Sequence, residues 1–304
     1  MSVIAITGGT GFVGTHLVRM AIEAGHSVQA LTRRDQPPQP GLRWTKGVLT
    51  DRIALAALVD GCDAVIHVAG AISAPDRDEF HRINVGGTQA MIDAARAASV
   101  TRFIHVSSLA AREPELSNYG RSKAESETLI RASELAWTIV RPPAVYGPGD
   151  RETLVLFEMA RRGWVALPPH GRLSLIHVRD LCDLLLACLN NDATIGKLYE
   201  PDDGTHNGLS HVDFARALGH AQGRTARAVS LPGTLIRAGA RLDRLIRRGG
   251  ARLTPDRARY FCHPDWVADP EKQPDPAHWK PAILLDNGLR DTARWYREQG
   301  WLRR

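Results

Sequence analysis

The run Val3-Ile4-Ala5-Ile6-Thr7 breaks at once into Gly8-Gly9-Thr10-Gly11-Phe12-Val13-Gly14, and no other stretch narrows the possible folds so far. An uncharged, β-rich run without hydrophilic interruption is the pattern of a parallel strand buried on both faces. Glycines directly after it let the chain turn sharply and bring its amides close to a diphosphate. A helix over residues 12–24 would then aim its first N–H groups and the positive end of its dipole at that anion. Two spacings coexist: Gly9, Gly11 and Gly14 fit G-x-G-x-x-G, while Gly8, Gly11 and Gly14 repeat every three residues. A glycine pattern alone also fits any tight α/β turn. This one follows a strand and opens a helix, and that context implies dinucleotide binding.

The rest of the composition narrows the class. With 304 residues the chain can hold one large domain or two small ones. No apolar stretch approaches the roughly 20 residues needed to span a bilayer. The first strand starts at Val3 with no basic segment before it, so the expectation is a cytoplasmic protein without a signal peptide. Cys62, Cys182, Cys188 and Cys262 lack metal-ligand spacing; they read as reduced thiols, and no metal is expected. A formal charge of +6, with arginine far outnumbering lysine, favours anionic ligands. No basic tail or aromatic–basic interleaving points to nucleic acid.

After Gly25 a second strand covers residues 27–31. A site for NAD places an acidic residue about 20 positions beyond the glycines, whereas arginine there suits the 2′-phosphate of NADP. Here stand Thr32, Arg33 and Arg34, so NADP is favoured, with NAD as the alternative. A proline-rich loop over residues 36–41 leads to a strand over 43–46 and a helix over 53–59. Residues 63–70 form the next buried strand, ending in Val68-Ala69-Gly70, where a ring can lie against backbone. His67, inside that apolar run, reads as a core histidine rather than a catalytic one. Asn84 begins a helical segment over 85–98. The strand of residues 102–108 ends in Ser107-Ser108, at the edge of a parallel sheet where ligands bind.

Beyond a polar loop over 113–118, Tyr119-Gly120-Arg121-Ser122-Lys123 opens a helix running to residue 131. Tyr119 and Lys123 are four apart and share a helix face. A nearby ammonium lowers the phenol's pKa from about 10 and makes it competent for proton transfer near neutral pH. Alone, Y-x-x-x-K carries no weight. Here it follows Ser107-Ser108 by one loop in a chain already marked as a dinucleotide binder.

Taken in order, Thr7-Gly8-x-x-Gly11-x-x-Gly14, Asn84-Val85-Gly86-Gly87-Thr88, Val106-Ser107-Ser108, Tyr119-x-x-x-Lys123, residues 141–149 (RPPAVYGPG) and Ile176-His177-Val178-Arg179-Asp180 resemble the extended or atypical short-chain dehydrogenase/reductases, the epimerase/dehydratase-like group. The resemblance covers most of residues 1–200. It implies an α/β Rossmann fold, a doubly wound parallel sheet with a smaller, interleaved C-terminal substrate lobe. It also implies an NAD(P)-dependent oxidoreductase acting on a hydroxyl or carbonyl group of a nucleotide-sugar-like or sterol-like small molecule. Tyr119 would be the acid/base, Lys123 would hold the nicotinamide ribose and acidify the phenol, and Ser108, rather than Ser107, would bond the substrate oxygen. Asn84 would support the lysine, and Val68, Ala69, Gly70 and Pro142 would join the cofactor contacts. Two departures stand out. Val48 replaces the aspartate of the family's adenine-contacting stretch at residues 47–51. The Ser108–Tyr119 separation is short, as in atypical members such as the complex I accessory type, some of which bind a dinucleotide without turnover. A dinucleotide-binding sensor or scaffold is therefore the competing class.

The expected division is a dinucleotide-binding domain over 1–200, with 150–172 contributing to the substrate lobe, and a lobe with a C-terminal helix over 201–304. Expected helices cover residues 154–162, 212–218 and 289–299, residues 181–189 return to pack on the dinucleotide-binding layer, and an irregular Pro- and Trp-rich wrap covers 264–281. Residues 235–248 set apolar side chains opposite Arg237, Arg241, Arg244 and Arg248, the pattern of a core-packed helix with a solvated basic face. A small-molecule substrate, a homodimer and no stable membrane insertion complete the expected partners.

Overall fold

A computed structural model describes residues 1–168, 170–234, 238 and 255–303. Apart from residue 238, the basic helix expected over residues 235–248 lies outside the described residues. The chain divides into two compact units. One comprises Met1–Pro142, Leu181–Glu200 and Pro276–Trp279; the other comprises Pro143–Asp180, Pro201–Asp275 and Lys280–Arg304.

The first unit is built from β1 (Val3–Thr7), α1 (Phe12–Glu23), β2 (Ser27–Thr32), β3 (Leu42–Lys46), α2 (Arg52–Val59), β4 (Ala64–His67), α3 (Arg77–Phe80), α4 (Gly87–Ala97), β5 (Arg102–Val106), α5 (Asn118–Arg131) and β6 (Ala136–Val140). Its 7-stranded sheet has the order Lys197–Tyr199, β6, β5, β4, β1, β2, β3. Every pairing is parallel, with Ile6 opposite both Ala30 and Ile66. This is the Rossmann arrangement. The strand order reverses between β1 and β4, and in such sheets the crevice at the reversal is where ligands bind. β1, β4 and β5 are buried along almost their whole length, which explains the apolar runs of β1 and β4; β5 buries Arg102 and His105 as well. One core packs Leu55, Leu58, Met91, Ile92 and Phe103 between sheet and helices.

Two local departures from the sequence reading bear on the site. Asn84 does not begin its helix; α3 runs into a π-helical turn, His81–Gly86, that continues as α4. A helix widened by one residue leaves a bulge that is frequent at functional sites, and the bulge carries Asn84. β2 also continues to Thr32, whose hydroxyl bonds the Arg34 carbonyl at 2.7 Å and turns the chain there.

In the second unit, Ala144–Tyr146 pairs in parallel with Leu175–His177 and Trp164–Leu167 with Arg227–Ser230. Asp265–Trp266 joins Arg172–Leu173 and Leu209–Ser210 in a 3-stranded sheet, so the wrap expected over 264–281 contains a strand. The helices Leu154–Arg161, His211–His220 and Leu285–Glu298 close over Tyr146, Phe157, Phe214 and Tyr296. Helix Val178–Ala187 follows immediately after the Leu175–His177 strand and takes in most of residues 181–189. Cys62, Cys182 and Cys188 are buried thiols and Cys262 is partly exposed. Among the described residues no helix is long and apolar enough to cross a membrane.

Candidate active site

Everything at the candidate site belongs to the first unit and gathers at the C-terminal ends of β1, β4 and β5. At the end of β1, Gly8 takes φ +76° and lies so close to the β4 end that a side-chain Cβ would stand 2.9 Å from the Ala69 amide nitrogen. Gly11 N–H closes the turn onto the Gly8 carbonyl at 2.9 Å. A Cβ on Gly14 would overlap that same carbonyl, so glycine is the residue that fits there. Gly11 caps α1 without a side-chain hydrogen bond, so the first amides of the helix are not taken up by a capping side chain. A tight glycine cradle ending in an uncapped helix start fits a diphosphate. Thr10 and Gly11 are exposed on this turn and Phe12 and Val13 partly so, while Gly9 and Gly14 are buried. The Thr7 hydroxyl is turned inward onto His67 Nδ1 at 2.7 Å and accepts from Ala69 N–H at 3.2 Å.

Arg33 and Arg34 are exposed just beyond β2, and neither is an ion-pair partner among the described residues. The next residue, Asp35, is held by Lys46 at 2.9 Å. Val48, in the position of the missing aspartate, is largely exposed.

The acid/base candidates are held by α5. Ser117 caps this helix by accepting from Gly120 N–H at 2.9 Å. Gly120 lets the first turn settle against the 3₁₀ turn Leu109–Arg112, because its missing Cβ would lie 2.5 Å from the Ala110 carbonyl. That turn is capped by Ser108, whose Oγ accepts from Ala110 N–H at 3.2 Å. The two serines at the β5 end thus differ. Ser107 donates to Glu127 Oε1 at 2.5 Å, and Glu127 is gripped at 2.7 Å through each oxygen by Arg141.

Lys123 is 5% exposed and donates to the Val106 carbonyl at 2.7 Å. Burial pulls its pKa down to about 8, against the opposing pull of the Glu127 carboxylate one turn on. The β4 end lies on this ammonium: a Cβ at Gly70 would stand 3.4 Å from Nζ and 3.2 Å from Asn84 Oδ1. Asn84 accepts from Ala71 N–H at 2.7 Å and donates to the Ala71 carbonyl at 3.0 Å and to Ser122 Oγ at 2.9 Å. Ser122 in turn donates to the Tyr119 carbonyl at 2.8 Å. The Tyr119 ring lies 6.2 Å from that of Phe80, tilted by 51°. Pro142, following β6, receives Leu109 N–H on its carbonyl at 3.1 Å. Chemically, the cluster sets a phenol one helical turn from a buried ammonium with a hydroxyl on the packed turn beside it. The sequence reading did not single out Ser122 or Glu127; Glu127 is four residues after Lys123 and Ser122 three after Tyr119, and that helical spacing was the available signal.

A glycine cradle at the switch point of a doubly wound parallel sheet defines a dinucleotide-binding protein. The sequence matches the NAD dependent epimerase/dehydratase family over residues 4–200, and the chain belongs to that family. It is similar to a ceramide reductase of Caulobacter vibrioides, 40% identical over 99% of this chain and 96% of that one. It is also similar to a 2-alkyl-3-oxoalkanoate reductase of Stenotrophomonas maltophilia, 31% identical over 94% and 97% of the two chains. Among solved structures, the Bordetella bronchiseptica enzyme WbmG, in complex with NAD and UDP, shares the fold with a TM-score of 0.75 at 19% identity, covering 99% and 96%. The family is one of NAD-dependent enzymes, so the cofactor is a nicotinamide dinucleotide and the chain is an enzyme of oxidoreductase or epimerase type.

Proposed function

We propose that this protein reduces a ketone on a long-chain, ceramide-like or 3-oxoalkanoate-like lipid to a secondary alcohol, with NADPH as cofactor and Ser108, Tyr119 and Lys123 as the catalytic residues. The observation that carries the reading is the buried Lys123 ammonium one helical turn from Tyr119. A buried cation is costly unless used, and a dinucleotide sensor has no need of an acidified phenol. The lipid substrate is supported by the two reductases similar to this chain over more than nine-tenths of its length, beyond the dinucleotide-binding unit. Exposed Arg33 and Arg34 at the β2 end, with the nearby Asp35 engaged by Lys46, support NADPH over NADH.

When bound, the nicotinamide supplies the hydride that goes to the carbonyl carbon. The Tyr119 phenol gives its proton to the carbonyl oxygen, which becomes the alcohol. Lys123 acidifies that phenol electrostatically and has N–H groups beyond the one on Val106 for the ribose. Ser108 orients the carbonyl oxygen, because Ser107 has given its proton to Glu127. Asn84 fixes the β4 end and, through Ser122, the first turn of α5.

The test is Tyr119→Phe, assayed by NADPH oxidation with long-chain 3-oxo amides and 3-oxo acids. Fold and NADPH affinity should hold while turnover falls by about 10²-fold or more, the usual size of a general-acid contribution. Wild-type turnover by the variant would refute the assignment. Tight NADPH binding with no active ketone would favour the sensor class.

A further inference from the structure

His67 is completely buried between β1 and α4, and its two ring nitrogens contact two hydroxyls. The direction of each bond follows from its neighbour. Thr88 Oγ1 donates its only proton to the Asn84 carbonyl at 2.6 Å, so at its 3.1 Å contact with His67 Nε2 it must accept. Nε2 therefore carries hydrogen. The imidazole is neutral, because burial first and the Lys123 charge second push its pKa down to about 3. Nδ1 is then a bare acceptor and takes the Thr7 hydroxyl proton at 2.7 Å; Thr7 Oγ1, its proton spent, accepts from Ala69 N–H at 3.2 Å. Beyond Thr88 the path continues through Asn84, whose amide holds Ala71 and Ser122, and Ser122 donates to the Tyr119 carbonyl.

We propose that His67 and Thr88 are positioning residues: through one directed run of hydrogen bonds they fix the glycine cradle that begins at Gly8 relative to the helix that carries Tyr119 and Lys123. The proposal rests on the reading of Tyr119 and Lys123 given above. The dinucleotide spans from its diphosphate, at the β1 end, to its nicotinamide, at the end that must meet Tyr119. A hydride and a proton must reach adjacent atoms in one geometry, and a misplacement of about 1 Å costs on the order of 10²-fold in rate. His67 joins the two ends, and being neutral and locked in one tautomer it cannot let the run reverse. A lone imidazole in an apolar strand looks like inert core from sequence, but both its nitrogens here are committed to groups that lead to the site.

Two substitutions cut the run on opposite sides. In His67→Asn the side-chain oxygen replaces Nδ1 and keeps the Thr7 contact while the Thr88 contact is lost. In His67→Gln the amide nitrogen replaces Nε2 and keeps Thr88 while Thr7 is lost. Each is purified with the full chain and measured for thermal midpoint, NADPH affinity by fluorescence titration, and kcat and KM. His67→Gln should weaken NADPH about tenfold and leave kcat at saturating NADPH within about threefold. His67→Asn and Thr88→Val should leave NADPH affinity within about twofold and lower kcat about tenfold or more. Equal losses in all three variants, or a lowered midpoint with wild-type affinity and kcat, would mean a merely structural histidine and overturn the proposal. Should the variants not fold, nitrogen NMR of the wild-type histidines decides: His67 must show an Nε2–H tautomer unchanged from about pH 5 to 9, and an Nδ1–H tautomer or a titration in that window overturns it. If the wild type reduces no ketone, the proposed function falls; the difference in NADPH affinity between His67→Gln and His67→Asn, together with the tautomer, then decides the positioning role separately.

Discussion

Replacing Lys123 by methionine should make the free protein more stable while abolishing its function. The side chain is 5% exposed, and burial lowers its pKa from 10.5 to about 8 even with Glu127 opposing. A depression of this size opposes folding by about 3 kcal/mol, at roughly 1.4 kcal/mol per pH unit, while both states are charged. Below about pH 8 folded and unfolded chains both hold the proton, and the whole cost is present. Between about 8 and 10.5 the unfolded chain binds more protons than the folded one, so this contribution to stability rises with pH; above 10.5 the cost is gone. Methionine has similar length and no charge, but it gives up the 2.7 Å hydrogen bond to the Val106 carbonyl, which offsets about 1–2 kcal/mol. The expected net gain for Lys123→Met at pH 7 is about 1–2 kcal/mol, a rise of roughly 2–8 °C in the thermal midpoint. Denaturant unfolding of both proteins without NADPH, followed by circular dichroism from pH 6 to 10.5, measures the difference. It should be largest at neutral pH and shrink to nothing or reverse toward pH 10. A variant less stable at pH 7, or a difference that does not change with pH, would refute the view that this ammonium is held in the fold at a cost.

Two further outcomes are expected. Arg33→Ala should weaken NADPH about tenfold or more, the loss of a charge-assisted contact worth on the order of 1.5–3 kcal/mol, and leave NADH nearly unchanged; isothermal titration with both cofactors decides it, and equal wild-type affinities would sink the NADP assignment. Gly14→Ala puts a methyl group into the Gly8 carbonyl; it should lower stability by about 1–3 kcal/mol and reduce NADPH affinity more than 100-fold, and a variant that binds NADPH normally would show that the cradle is not the diphosphate site.

Much of the first unit was legible because its signals are local. Apolar runs marked β1 and β4, and the glycines marked the turn because two backbone segments come too close there for any side chain. What stayed hidden depends on partners distant in sequence. Nothing in Ser107-Ser108 itself distinguishes two adjacent hydroxyls; the difference arises because Glu127, 20 residues on and held in place by Arg141, accepts the hydrogen bond of Ser107. The π turn at Asn84 was missed for the same reason, since its side chain answers to Ala71 and Ser122, not to its own helix. The discontinuous second unit follows from pairings such as Trp164–Leu167 with Arg227–Ser230 and Arg172–Leu173 with Leu209–Ser210, which no local pattern announces.

The polar groups at these strand ends can be sorted by whether their protons are already committed. Thr7, Thr88, Ser107 and Ser122 each donate a hydroxyl proton within the protein, and the Asn84 amide spends its oxygen and both of its protons. Such groups can hold a geometry, but using one in the reaction would leave a buried partner unsatisfied at about 1–3 kcal/mol. Ser108 differs: its oxygen accepts from Ala110, but among the described residues its proton has no acceptor. Lys123 has committed one of three. The groups with protons to offer are thus those whose chemistry a carbonyl reduction needs, and those without are the ones that fix where the first group stands. On that ground the function proposed above draws Ser108 and Lys123 into the reaction and leaves Thr7, His67, Thr88 and Asn84 to hold its geometry.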